Sequence, residues 1–160
     1  MTTPTVLRGL PLARWIAFAV PAAALGGAYA FQYWGGLFPC EMCWWQRYAH
    51  FAALALAALA FVLPGKRALV GLAGLALAVS ALIGGFHAGV EYGWWPGITH
   101  CTSTVSFTPG QDPMAAIMAA PLIRCDVVQW SLFGVSLAGF NFFLSGAGAA
   151  AVFAALVRKG

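Results

Sequence analysis

The chain is short of charge. Only 8% of its 160 residues are Asp, Glu, Lys or Arg, against a hydrophobic share of 62%, and the mean hydropathy is +0.84. Soluble domains carry about 25% charged residues, and a fold this small cannot hide so much apolar surface from water. A water-soluble globular domain is excluded, and lipid is the expected solvent. Acidic residues are scarcest: Glu41, Glu91, Asp112 and Asp126 are all there are. The basic residues form no stripe or patch, so the high pI does not point to nucleic acid. No Cys-x-x-Cys-His haem attachment is present, because Trp44 follows Cys43, and there is no glycine fingerprint for a nucleotide. A cleavable signal peptide is not evident either, since the first apolar run is too long for one.

What the chain does have is long apolar runs. They cover approximately residues 12–34, 44–63, 68–92 and 130–157, each near the ~20 residues that cross a hydrocarbon core. A helix satisfies its own backbone polar groups in lipid. The predicted fold is an all-α membrane protein: one domain over residues 1–160, a four-transmembrane-helix bundle with two extracytoplasmic cysteine-bearing loops. Pro21 falls inside the first run, where a membrane helix tolerates it as a kink. Pro64-Gly65 ends the second.

Charge asymmetry orients the spans. Arg8, Arg14, Lys66, Arg67, Arg158 and Lys159 all fall on one side, with no acid among them, and the positive-inside rule makes that side cytoplasmic. Both termini are then inside. The other side holds every acid and only Arg47 and Arg124. Trp34, Trp44, Trp45, Trp94, Trp95 and Trp130 cluster near the outer boundary, as an interfacial belt or as a flat platform for a ring-shaped ligand.

All four cysteines share that outer side, and an even number on an oxidising face reads as two disulfides. Cys40-Glu41-Met42-Cys43 is a Cys-x-x-Cys at the expected start of the second span. Unpaired N–H groups there favour a thiolate, and Arg47, four residues after Cys43, shares its helix face; Glu41 opposes this. So short a loop is a poor structural staple, which favours redox activity. Cys101 and Cys125 enclose a long polar loop, where a staple is a fair reading. A four-thiolate zinc site is disfavoured because Cys101 and Cys125 form no second short knuckle. His87 and Glu91, spaced i, i+4 near the outer end of the third span, are ionisable candidates; a plain interfacial pair is the alternative. Gly85 and Gly89 fit close helix packing. The stretch Pro113 to Pro121 is apolar and too short to span, and is expected as a short interfacial helix lying on membrane lipid.

The run Phe38-Pro39-Cys40-Glu41-Met42-Cys43-Trp44-Trp45-Gln46-Arg47 resembles the first periplasmic loop of the DsbB family of disulfide-bond formation proteins. The run from Cys125 through Gln129-Trp130 to Asn141 resembles that family's last cysteine and entry into its fourth span, and Phe86-His87-Ala88-Gly89-Val90-Glu91 is similar to the end of span three in some members. The resemblance implies a quinone-dependent protein thiol oxidase of the bacterial inner membrane, with its cysteines periplasmic and ubiquinone or menaquinone as acceptor. It implies a thioredoxin-like periplasmic partner of the DsbA type, which the enzyme reoxidises. Cys101 would form the mixed disulfide with the partner and Cys125 would be its companion. Cys40 and Cys43 would reoxidise that pair, with Cys43 and Arg47 at the quinone; His87 is placed to donate a proton or hydrogen bond to it. The loop between Cys101 and Cys125, and Glu41, depart from the family pattern. Other readings are a vitamin K epoxide reductase-like enzyme, disfavoured by cysteine order, a structural subunit with two stabilising disulfides, and a DsbI-type paralogue serving one dedicated partner.

Overall fold

The computed structural model describes residues 9–99, 110, 112–119 and 123–158. Four long helices dominate: α1 (Gly9–Tyr33), α2 (Glu41–Val62), α3 (Lys66–Glu91) and, after a short α4 (Pro113–Ala119), α5 (Leu137–Val157). Between α4 and α5 lies a two-stranded hairpin, β1 (Ser131–Leu132) and β2 (Val135–Ser136), paired antiparallel with Ser131 opposite Ser136.

The helices α1, α3 and α5 are each long and apolar enough to cross a membrane, and the protein is membrane-spanning. Helix α2 has comparable length, 22 residues, but its first turns carry Glu41, Gln46, Arg47 and His50. Those side chains are buried against the bundle or sit at its mouth. On the outside of α3, Leu72, Leu75, Val79 and Leu82 are exposed along one face, the pattern of a lipid-facing helix.

Small side chains let the backbones approach. One end of the bundle is filled by Ala13, Ala17, Ala57, Ala60 and Ala73 around Val70 and Val152. Higher up, a β-carbon at Gly84 would press on Asn141 and on the Ala138 carbonyl, and one at Gly89 would overlap the Trp95 ring. Gly85 meets the Phe142 ring. Glycine at 84 therefore brings α5 close enough for Asn141 to reach the polar groups of α3.

The two ends of the bundle differ chemically. At one end Arg67 donates from Nη2 to the Leu156 carbonyl, and Gly9 lies against Ala155. This gathers the start of α1, the α2–α3 turn at Gly65 (φ +75) and the end of α5. The described cysteines, Cys40, Cys43 and Cys125, gather at the opposite end.

The last helix starts later than hydropathy suggests. Residues 131–136, expected within the final span, form the hairpin instead. Its turn, Phe133-Gly134, has φ of +52 and +78, the paired positive values of a hairpin turn matched to strand twist. Ser136 then caps α5, its Oγ accepting the Gly139 N–H at 3.1 Å. Tyr92 at the end of α3 locks the hairpin, donating to the Gly134 carbonyl at 3.0 Å and accepting from the Ser136 N–H at 2.8 Å. Apolarity runs unbroken through this break, so composition alone does not reveal it. In α4, Asp112 accepts the Met114 N–H at 3.1 Å at the helix start, and Met114 and Met118 are exposed. Cys101 and Pro121 lie outside the described residues.

Candidate active site

Pro39 cannot donate a helical hydrogen bond, and α2 begins just after it. Cys40 is the N-cap, in extended backbone, and its Sγ accepts the Cys43 N–H at 3.4 Å. The Cys-x-x-Cys spacing brings the two sulfurs to 3.0 Å, as free thiols. Cys40 is fully buried and Cys43 only partly so.

Cys125 packs onto the same turn. It shares a small buried cluster with Cys40, Met42 and Val90. Gln129 fastens its segment to the first loop by donating to the Phe38 carbonyl at 3.0 Å. The Cys125 sulfur is hydrogen-bonded by Cys40 and by the backbone N–H groups of Met42 and Glu41, and together these pull its pKa down to about 6 against the opposing effect of burial. Cys40 is shifted the other way: its hydrogen bonds to Cys125 and Cys43, and then burial, push it up. Cys40 is thus the donor toward both neighbouring sulfurs, Cys43 and Cys125. The start of α2 does favour a thiolate, as helix geometry requires. Its N–H groups, however, point at Cys40 and Cys125 because Cys40 occupies the cap position. Glu41 is the first helical residue, where a carboxylate suits the N-terminal N–H groups. Beside Cys125, Arg124 and Asp126 form an exposed forked ion pair that holds the Asp126 carboxyl below its ordinary range; such surface pairs stabilise little.

His87 sits beneath the sulfurs. Its Nε2 is 3.6 Å from Cys40 Sγ and 3.8 Å from Glu91 Oε1. Its Nδ1 faces Gln46 Nε2 at 3.0 Å. The same amide nitrogen donates to the Met42 carbonyl, so Gln46 presents N–H to the ring. Nδ1 is then the acceptor, and the proton is on Nε2, aimed at sulfur and carboxylate. Cys40, Cys43 and His87 place three donor atoms within 4.8 Å of one another, a soft-metal geometry. The Gln46 hydrogen bond argues against His87 as a ligand there, because its Nε2 lone pair is occupied by the proton.

Arg47 lies one turn below Cys43, buried, and reaches across to α1. It donates from Nη1 to Gln32 Oε1 and from Nη2 to the Ala28 carbonyl, and its guanidinium lies 4.9 Å from the Tyr29 ring centre and 5.1 Å from that of Trp44. Among the described residues no carboxylate pairs with it. Cation–ring contacts of about 0.5–2 kcal/mol each and hydrogen bonds from a charged donor of about 1.5–3 kcal/mol each keep it buried without an anion. A cavity of about 260 Å³ opens beside it, with Ala28 and Phe31 of α1 and Phe140 and Leu144 of α5 facing Cys43, Arg47 and His87.

The family profile named "Disulfide bond formation protein DsbB" matches residues 11–155. The chain belongs to the DsbB family. It is 37% identical over 135 residues to the disulfide bond formation protein B of Aromatoleum aromaticum, covering 78% of each chain. It is 35% identical over 142 residues to that of an Azoarcus species, covering 82% of this chain and 83% of the other. No solved structure matches it. Membership in the DsbB family gives the chain a disulfide-forming oxidoreductase role.

The DsbB-family site includes residues that reading the motifs did not single out. Gln46 connects onward to Asn141, which donates from Nδ2 to Gln46 Oε1 at 2.8 Å and to Ser80 O and Oγ at 3.1 Å. Asn141 Oδ1 accepts from His50 Nε2 and Ser145 Oγ, both at 2.8 Å. His50 was visible in the sequence as the residue seven after Cys43, on the same helical stripe as Gln46 and Arg47. Asn141 and Ser145 are spaced i, i+4 in an apolar helix long enough to span, where polar side chains need partners.

Proposed function

We propose that the protein is a quinone-dependent thiol oxidase that reoxidises a DsbA-type, thioredoxin-like periplasmic dithiol. The observation that carries this is the contact of Cys125 with Cys40 beside a mostly apolar cavity lined by Cys40, Cys43, Arg47, His87 and Glu91.

The cavity suits a quinone head group. Its walls are mostly apolar, its volume of about 260 Å³ admits one ring, and its α1–α5 side faces the bilayer, where the tail would remain. A guanidinium with neutral partners, a buried imidazole and the Glu91 carboxyl line it. When bound, ubiquinone or menaquinone supplies an acceptor for two electrons and two protons. Arg47 is placed to stabilise negative charge developing on a ring oxygen, and His87 holds a proton at Nε2 beside Cys40.

The proposed sulfur steps use the contact between Cys125 and Cys40, with Cys101 in the role that the family resemblance implies. A partner thiolate attacks Cys101 of a Cys101–Cys125 disulfide, and the electron pair leaves on Cys125. The Cys125 thiolate, already against Cys40, attacks Cys40 of an oxidised Cys40–Cys43 pair. The Cys125–Cys40 bond forms, the Cys40–Cys43 bond breaks, and Cys43 leaves as the thiolate at the cavity wall. The partner's second thiolate then displaces Cys101 from the mixed disulfide, leaving the partner oxidised. The Cys101 thiolate so released attacks Cys125, which restores the outer disulfide and frees Cys40, and the reduced inner pair is then the electron source.

In this reading all four long helices span the inner membrane, with α2 entering near Trp44. Both termini are cytoplasmic, where Arg14, Lys66, Arg67 and Arg158 lie, and the sulfurs face the periplasm. Helix α4, with Met114 and Met118 exposed, rests on the lipid surface.

The test is a purified assay in lipid nanodiscs. With a reduced thioredoxin-like dithiol protein and ubiquinone, the partner is oxidised and the quinone reduced in equal amounts. A partner that stays reduced whichever quinone is added would contradict this reading and leave the structural-subunit and dedicated-partner readings.

A further inference from the structure

His50 is 3% exposed, yet only one of its ring nitrogens is used. Nε2 is 2.8 Å from Asn141 Oδ1, with the Ser80 hydroxyl at 3.1 Å and that of Ser145 at 3.4 Å. Asn141 spends its amide N–H groups on Gln46 Oε1 and Ser80, so its oxygen is the acceptor and His50 Nε2 carries the proton. Nδ1 is therefore a bare lone pair, buried and without a partner among the described residues. An unpaired buried acceptor is costly, and His50 forms part of the cavity wall.

Cys43, Gln46, Arg47 and His50 lie on one stripe of α2, with His50 roughly 10 Å deeper than Cys43 at the usual rise per residue. A ring lying along this stripe has one edge toward Cys43 and Arg47 and the other toward His50. A lone pair repels a carbonyl oxygen and attracts a hydroxyl. The two forms of the ring differ in that respect: the oxidised form has only acceptors, and the reduced form has two O–H donors.

We propose that His50 is the quinol-selective residue of the site, its Nδ1 accepting a hydrogen bond from the hydroxyl of the reduced ring. This rests on the quinone reading of the cavity. The cavity then holds quinol more tightly than quinone, which makes the bound ring a stronger oxidant of the dithiol. The balance is simple: two S–H bonds of Cys40 and Cys43 are lost, one S–S bond forms, and two electrons and two protons end as two O–H bonds on the ring. His50 gains and loses nothing overall; it favours the product side. Asn141 acts as the positioning residue, fixing the tautomer.

The experiment measures binding rather than turnover. The full chain carrying Cys43→Ala, which cannot pass electrons to the ring, is titrated separately with short-chain ubiquinone and with its quinol, following tryptophan fluorescence. Quinol is expected to bind about tenfold more tightly, the scale of one hydrogen bond to a buried acceptor, equivalent to about 30 mV in the potential of the bound ring. Adding His50→Gln keeps an amide N–H near the Nε2 position for Asn141 and removes Nδ1. It should abolish the preference, chiefly by weakening quinol binding, while leaving helical content unchanged. His50→Leu serves as a second variant, with the same expected loss. Equal affinity for both forms in the parent, or a preference that survives both substitutions, overturns the assignment of His50. Absence of binding of either form overturns the quinone reading itself.

Discussion

Gln46 Nε2 and His87 Nδ1 lie 3.0 Å apart between α2 and α3, and this contact sets the direction of a hydrogen-bond chain through the bundle. Asn141 donates to Gln46, Gln46 donates to His87, and His87 is left with its N–H facing Cys40. Buried polar chains of this kind are stabilising only when every member is satisfied.

Asn141→Leu should accordingly be among the most destabilising single changes. It strands Gln46 Oε1, at about 1–3 kcal/mol for a group left unpaired, and removes the nearest acceptor of the His50 Nε2 proton. Helicity followed during denaturation in mixed micelles checks this. Replacing a lipid-facing residue such as Leu82 with Ala should have a far smaller effect.

Cys125 should react as a thiolate well below the ordinary thiol range. With its pKa lowered to about 6, its charged form persists as pH falls and is lost only on passing through about 6. In the reduced chain, the alkylation rate at Cys125 should rise to a plateau above that pH. Cys40, shifted upward, should stay unreactive across the same range. Mass-spectrometric mapping of modified peptides separates the two. In Cys40→Ala the largest lowering influence is gone, and the Cys125 transition should move to higher pH.

Arg47→Ala should raise the apparent KM for quinone by about tenfold or more, the cost of losing a charged hydrogen-bond donor, while the KM for the reduced protein partner changes little. Steady-state kinetics with each substrate varied in turn distinguish the two. An unchanged quinone KM refutes the role of Arg47.

Cys40→Ser leaves Cys43 without its closest sulfur. Added quinone should then produce a visible absorbance change from the Cys43 thiolate against the ring. Combining this with Cys43→Ser should remove the colour.

Much of the site was legible in the chain because its chemistry is local. The Cys-x-x-Cys spacing, the proline before it and Arg47 one turn on define a helix start with two sulfurs and a cation, and the i, i+4 spacing of His87 and Glu91 brings them to 3.8 Å. The partners across the bundle were not legible. That Arg47 turns toward Gln32 and Ala28, that the α2 N–H groups serve Cys125, and that His50 meets Asn141 all depend on how the helices pack, which no spacing along one helix encodes. The hairpin before α5 was hidden for another reason: Leu132, Phe133 and Val135 are as apolar as a span, and only Gly134 and the Ser136 cap mark the break. The charge pattern at the opposite end of the bundle agrees with the gathering of the start of α1, the α2–α3 turn and the end of α5.

The relay stands on contact between Cys125 and Cys40. The most direct test is peptide-mapped disulfide analysis of a chain carrying Cys43→Ala and Cys101→Ala, in a lipid bilayer under mild oxidation. A Cys40–Cys125 disulfide should form rapidly and nearly completely within single molecules. If both sulfurs stay as thiols, or link only between different molecules, electrons do not pass by the route proposed.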